Sequence, residues 1–397
     1  MIYRPTAWAA GIFSVTLFLL VVTPVSYGLA GNGALSSLLF WLGFGGDGNI
    51  GAWWSGMLFL LSAIFAFDRS VESPSRAARR GWAALGAALV LLSFDEVASL
   101  HEFLSRYSLL YLVPLGILGL SLVAYALTNL RRAKLPLGRL VLAFALLATV
   151  PFQEFVQSTL EWNNPWVYGV RALIEEGTEI AAALTLLAVT SGGLLRLRVR
   201  AETFASLVAP GTPLMWFALG AFALVAGAVY TLNMRGTANW LGASLFFVCA
   251  LLITRGAMAR REPLLLAGAM LYLLASVGAN CINAEWDPAV FGYNVNLRGL
   301  FFGSLLLAGP WVLAAGQHWP QRLFWLAPAG CTLAAAFVLL QPTVVWSTWP
   351  ATIGLLCLYI ELSAALRLRA AVAPQARPAT ASAVLTPADG SPVVNRL

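Results

Sequence analysis

The chain has 397 residues, 60% of them hydrophobic and only 10% charged, with a mean hydropathy of +0.80. Soluble globular domains carry about 25% charged residues, so that class is excluded and an all-α, polytopic membrane protein is expected. The formal net charge of +7 is no nucleic-acid signature, because the basic residues fall in short segments between apolar runs and so report topology.

A bilayer core needs about 20 apolar residues per helix. Twelve runs are expected to span: 8–30, 51–67, 81–104, 108–129, 138–161, 168–194, 213–233, 238–254, 263–282, 297–315, 323–341 and 349–366. The first lacks a small-residue cleavage site after a short apolar core and reads as a retained helix. The second is short and is followed by Arg69, Arg76, Arg79 and Arg80. Arg131, Arg132, Lys134 and Arg139 lie between runs four and five, and Lys134 is the only lysine of the chain. Arg196, Arg198 and Arg200 follow run six; Arg255, Arg260 and Arg261 follow run eight. Arg322 precedes run eleven, and Arg367 and Arg369 follow run twelve. These groups share one side of the membrane if twelve spans are threaded. Basic loops mark the cytoplasmic side, so both termini are expected there, and the expected location is a bacterial cytoplasmic (inner) membrane.

Residues 1–200 form a first six-helix half and 201–370 a second, without a convincing internal repeat. Residues 371–397, rich in Ala, Pro, Ser, Thr and Val, are expected to be a disordered cytoplasmic tail. The cysteines Cys249, Cys281, Cys331 and Cys357 have no CxxC spacing and suggest neither a thiolate metal site nor a disulfide framework.

Acidic residues are unevenly spread. Eight of the 17 lie between positions 95 and 179: Asp95, Glu96, Glu102, Glu154, Glu161, Glu175, Glu176 and Glu179, with His101 among them. A carboxylate at the centre of a membrane helix costs about 2.5–3.5 kcal/mol on insertion scales, so such a group marks a functional site by default. Threading the chain puts runs three, five and six with their acidic portions at similar depth toward the outer face. Asp95 and Glu102 share one stripe of run three, with Glu96 and His101 off it. Gln153, Glu154, Gln157 and Glu161 share an arc on run five; Arg171, Glu175 and Glu179 stack on run six with Glu176 beside them.

The residues expected to act as ligands or acid/base groups are Asp95, His101, Glu154 and Glu175, with Glu102 and Glu179 as further metal ligands. Arg171 and Arg298 are expected to orient a carboxylate or hold an anionic substrate group. The inventory suits a divalent metal ion of unknown identity bound through oxygens. A di-iron bundle is disfavoured, because no Glu-x-x-His unit occurs. Bland readings stand beside these: Arg171–Glu175 is a ready intrahelical pair, and Glu102 and Glu161 lie near helix ends where water is available.

The pair Glu175-Glu176 looks like the opening of the CAAX-type intramembrane protease motif. Glu179 follows instead of an arginine, and no later run holds a histidine, so that assignment is rejected. Three functions remain open. One is a metal- or acid/base-dependent membrane enzyme acting on a lipid, lipid-linked or small-molecule substrate. The others are a cation- or proton-coupled transporter and a non-catalytic subunit or sensor of a membrane complex. Membrane lipids are expected partners and nucleic acid is not.

Overall fold

The structure is a computed structural model that describes residues 7–29, 49–98, 112–159 and 164–192, with positions 39, 42–44, 289–290, 293–294 and scattered helical positions between 240 and 280. Six long helices account for most of this: α1 (Ala7–Gly28), α2 (Ile50–Glu72), α3 (Arg76–Ala98), α4 (Leu112–Arg132), α5 (Gly138–Thr159) and α6 (Pro165–Ser191). Beyond them, strands β1 (Ala289–Val290) and β2 (Tyr293–Asn294) form a short antiparallel pair. Apart from this pair, the described residues are helical, as a membrane protein built from apolar helices would be. Three of the helices, Ala9–Gly28 within α1, α2 and α3, are long and apolar enough to cross a bilayer.

Local chemistry sets the helix limits. Asn49 caps α2 by accepting from the Ala52 amide at 2.9 Å, and Ser73, in extended conformation, closes it. Pro74 then bars continuation, and the Ser75 hydroxyl accepts from the Ala78 amide at 3.0 Å to start α3. Hydropathy alone would end α2 near position 67. The helix runs on to Glu72, because Asp68, Arg69 and Glu72 interrupt the apolar run without interrupting helical hydrogen bonding. Asn164 caps α6 with Pro165 at its first position, and Gly192, at φ +80°, terminates it.

Helix α2 is the best-buried element; from Gly51 to Phe65 only Ile64 is not fully buried. It packs against α3 on one side and α6 on another, while α3 also meets α4 and α6 also meets α1 and α5. The core is a continuous apolar cluster that includes Met57, Leu58, Leu61 and Phe65 of α2, Leu85 and Leu89 of α3, and Ala183, Leu186 and Leu187 of α6. Runs of the second half touch this core through Trp240, Ala243, Phe246, Phe247, Ala250, Ala269 and Tyr272. The expected spans at 213–233, 297–315, 323–341 and 349–366, and the tail 371–397, lie outside the described residues.

Candidate functional site

The polar site begins with a small-residue pair in α2, Ser55-Gly56. A Cβ on Gly56 would stand 2.5 Å from Val97 Cγ2 and 3.4 Å from the Ser93 carbonyl, so only glycine lets the end of α3 lie this close to α2. That approach brings Glu96 to Ser55, whose buried hydroxyl donates to Glu96 Oε1 at 2.5 Å.

Helix α6 supplies the other side. Carboxylate oxygens of Glu96, Glu176 and Glu179 lie within 4.8 Å of one another, and all three residues are partly buried. Glu175 turns away into a pair with Arg171: Nη2 donates to Glu175 Oε2 at 2.8 Å, with the side chains only 12% and 15% exposed. The Arg171 guanidinium also sits 5.4 Å from the centre of the Tyr168 ring, which packs on Tyr27 of α1. Along α6 the neutralised Arg171–Glu175 pair therefore lies one turn before Glu179, beside the group of carboxylates.

The grouping differs in membership from the sequence expectation. Glu179 was an expected ligand; Glu96 and Glu176 were not. Asp95, partly exposed on α3, and Glu175, paired with Arg171, stand outside the trio. Glu154 lies on α5, but its side chain is outside the described residues, as are His101, Glu102, Glu161 and Arg298 entirely. The signal that would have pointed to Glu96 is Ser55-Gly56 itself, a polar and a bare position inside an otherwise bulky apolar run.

At the far end of the same three helices lies a second polar contact. Arg69 of α2 donates through Nε to the Thr190 carbonyl of α6, and its guanidinium carbon lies 5.1 Å from the centre of the Trp82 ring of α3. Its Nη2 sits 2.7 Å from where a Cβ of Gly192 would be. Ser55 and Arg69, Glu96 and Trp82, and Glu176 and Thr190 are each fourteen positions apart. Fourteen residues span roughly 21 Å and return to within about 40° of the same face. Each helix therefore contributes to both ends, Ser55, Glu96 and the Glu176/Glu179 pair to a polar carboxylate layer and Arg69, Trp82 and Thr190 to a guanidinium clasp, with the apolar core between them.

Residues 12–191 match a family described as a domain of unknown function (DUF8692). No curated protein and no solved structure matches the chain. The matched region contains the whole carboxylate trio, Ser55, Gly56 and the Arg69–Trp82–Thr190 clasp.

Outside the matched region, described positions between 240 and 280 contact α2 and α3 beside the site. Trp240 Nε1 donates to the Ser93 hydroxyl at 3.0 Å, one turn before Glu96. Trp53 Nε1 donates to Ser276 Oγ at 2.8 Å, which in turn donates to the Ala243 carbonyl at 2.6 Å. Asn280 Nδ2 donates to the Asn49 carbonyl at 2.9 Å.

Proposed function

We propose that the chain is a twelve-span inner-membrane protein with both termini cytoplasmic, and that Glu96, Glu176 and Glu179 bind a divalent cation at the outer end of α2, α3 and α6. The single supporting observation is the mutual approach of these three carboxylates within 4.8 Å. Two ionised carboxylates within that separation repel by at least about 3.5 kcal/mol at an effective dielectric of about 20. Arg171 is engaged with Glu175 and relieves at most part of this. A cation or shared protons must supply the rest. Two oxygens that ligate one Ca²⁺-sized ion stand at most about 4.6–5.2 Å apart, a limit the trio meets, and an all-oxygen donor set suits Mg²⁺, Mn²⁺ or Ca²⁺.

The reading extends to a membrane enzyme acting on a lipid or lipid-linked substrate. Buried Leu58, Leu61, Leu85, Leu89 and Leu186 separate the carboxylates from the clasp end, which favours a one-sided site over a through path along these helices. A cation- or proton-coupled transporter is the competing reading, since membrane carboxylates also serve as proton relays.

Metal content and thermal stability of the purified chain, with and without chelator, test the ion. Near-stoichiometric Mg²⁺, Mn²⁺ or Ca²⁺, lost on chelation and in Glu176→Gln, is the expected result. A metal-free protein that Glu176→Gln stabilises would mean the carboxylates share protons, and would overturn the cation reading. Proteoliposomes with a pH-sensitive dye separate enzyme from transporter: proton flux abolished by Glu176→Gln selects the transporter.

A further inference from the structure

The end of the bundle away from the carboxylates is strongly basic. Residues 66–82 and 129–140 hold eight basic side chains against two acidic ones, Asp68 and Glu72. They converge because α3 starts where α4 ends. A Cβ on Gly81 would stand 2.8 Å from the Leu130 side chain and 3.0 Å from its backbone nitrogen, so the bare position lets the two helices pack closely. Arg79 and Arg80 thus flank the same seam as Arg131 and Arg132, and all four are exposed. The turn into α5 adds Lys134 and Arg139, both exposed.

Lys134 is the distinctive member. Helix α4 ends in a Schellman turn: the Leu135 amide donates to the Leu130 carbonyl at 3.1 Å and the Lys134 amide to the Arg131 carbonyl at 2.9 Å. Such a turn forces the residue after the cap into the left-handed region, and Lys134 has φ +58°. Glycine is the ordinary occupant, because a Cβ is strained there. The chain uses glycine at the other left-handed cap among the described residues, Gly192 at φ +80°. At the α4 cap it instead carries its only lysine, exposed beside five arginines. A strained backbone bearing a compact ammonium with three donors points to a use for that charge.

We propose that this basic end, with Lys134 as its central contact, binds the phosphate headgroups of anionic membrane lipids such as phosphatidylglycerol. The occupant follows from position and charge. The six side chains project from the ends of α3, α4 and α5, where the apolar segments stop and headgroups lie. Excess positive charge there complements an anionic phosphodiester and not a zwitterionic one.

The test uses the full chain in detergent, titrated with short-chain phosphatidylglycerol, phosphatidylcholine or inorganic phosphate while thermal stability is followed. Phosphatidylglycerol should stabilise saturably and the other two should not. Lys134→Gln keeps the backbone strain and removes the charge; it should weaken apparent affinity for phosphatidylglycerol about fivefold, and Lys134→Arg should restore it. Lys134→Gly should move the two readouts in opposite directions, with a midpoint several degrees higher in lipid-free detergent and weaker phosphatidylglycerol binding. Equal stabilisation by phosphatidylcholine, or unchanged phosphatidylglycerol affinity in Lys134→Gln, would overturn the proposal. Saturation by inorganic phosphate would do so too, by making the site one for a soluble anion.

Discussion

Gly192 meets two demands that no other residue meets together. Its φ of +80° places it where L side chains are strained, and Nη2 of Arg69 occupies the space 2.7 Å from an added Cβ. Left-handed conformation costs a non-glycine residue about 1–2 kcal/mol. Gly192→Ala should therefore lower the thermal midpoint by several degrees, and the loss should shrink when Arg69→Ala has already vacated the space. A double-mutant cycle measures that coupling; strict additivity would show that the two residues do not meet. Gly56 is constrained differently: it needs space and not conformational freedom. Ser55 beside it uses that space to reach Glu96, so the hydroxyl, the bare position and the carboxylate form one unit spread over two helices.

At the scale of elements, the Arg69 clasp ties the ends of α2, α3 and α6. Arg69→Lys keeps a cation but loses the planar face against Trp82 and the Nε donor to Thr190. It should destabilise the chain by about 1–2 kcal/mol, read as a lower midpoint in detergent. A midpoint equal to the wild type would mean the charge alone sufficed. These elements show what could be read from composition and what could not. The helices α3 to α6 overlap the apolar runs expected at 81–104, 108–129, 138–161 and 168–194, because hydropathy over 20 residues is a local property. The intrahelical pair Arg171–Glu175 was legible for the same reason, since spacing of four on a helix fixes proximity. The approach of Glu96 to Glu176 and Glu179 was not. Face arithmetic on a single helix gives directions, but which helices adjoin depends on packing at Gly56. Arg69 and Trp82 were hidden similarly: a loop arginine reads as topology until a ring is seen beneath it.

At the scale of the whole molecule, the described positions between 240 and 280 meet α2 and α3 through indole and amide donors. Ser276 is a junction, accepting from Trp53 and donating to Ala243, and Ser276→Ala would leave a buried indole N–H without its acceptor. The expected cost is about 1–3 kcal/mol. Thermal unfolding by tryptophan fluorescence checks this, and an unchanged midpoint would argue against that junction. The match to DUF8692 stops at Ser191, before Trp240, Ser276 and Asn280, so the contacts that cover Ser93 and Asn49 come from beyond the matched region.

The equal fourteen-residue separation on α2, α3 and α6 has a consequence for sequence length. The segments 55–69, 82–96 and 176–190 are linked at both ends, through Glu96 to Ser55 and Glu176 at one and through Arg69 to Trp82 and Thr190 at the other. Inserting one residue into any of them would advance one anchor by about 1.5 Å and swing it by about 100°. Neither end could then be satisfied without abandoning the other. Chains that retain both layers should therefore tolerate substitutions inside these segments but not gaps, and should concentrate their insertions and deletions in the connections between helices.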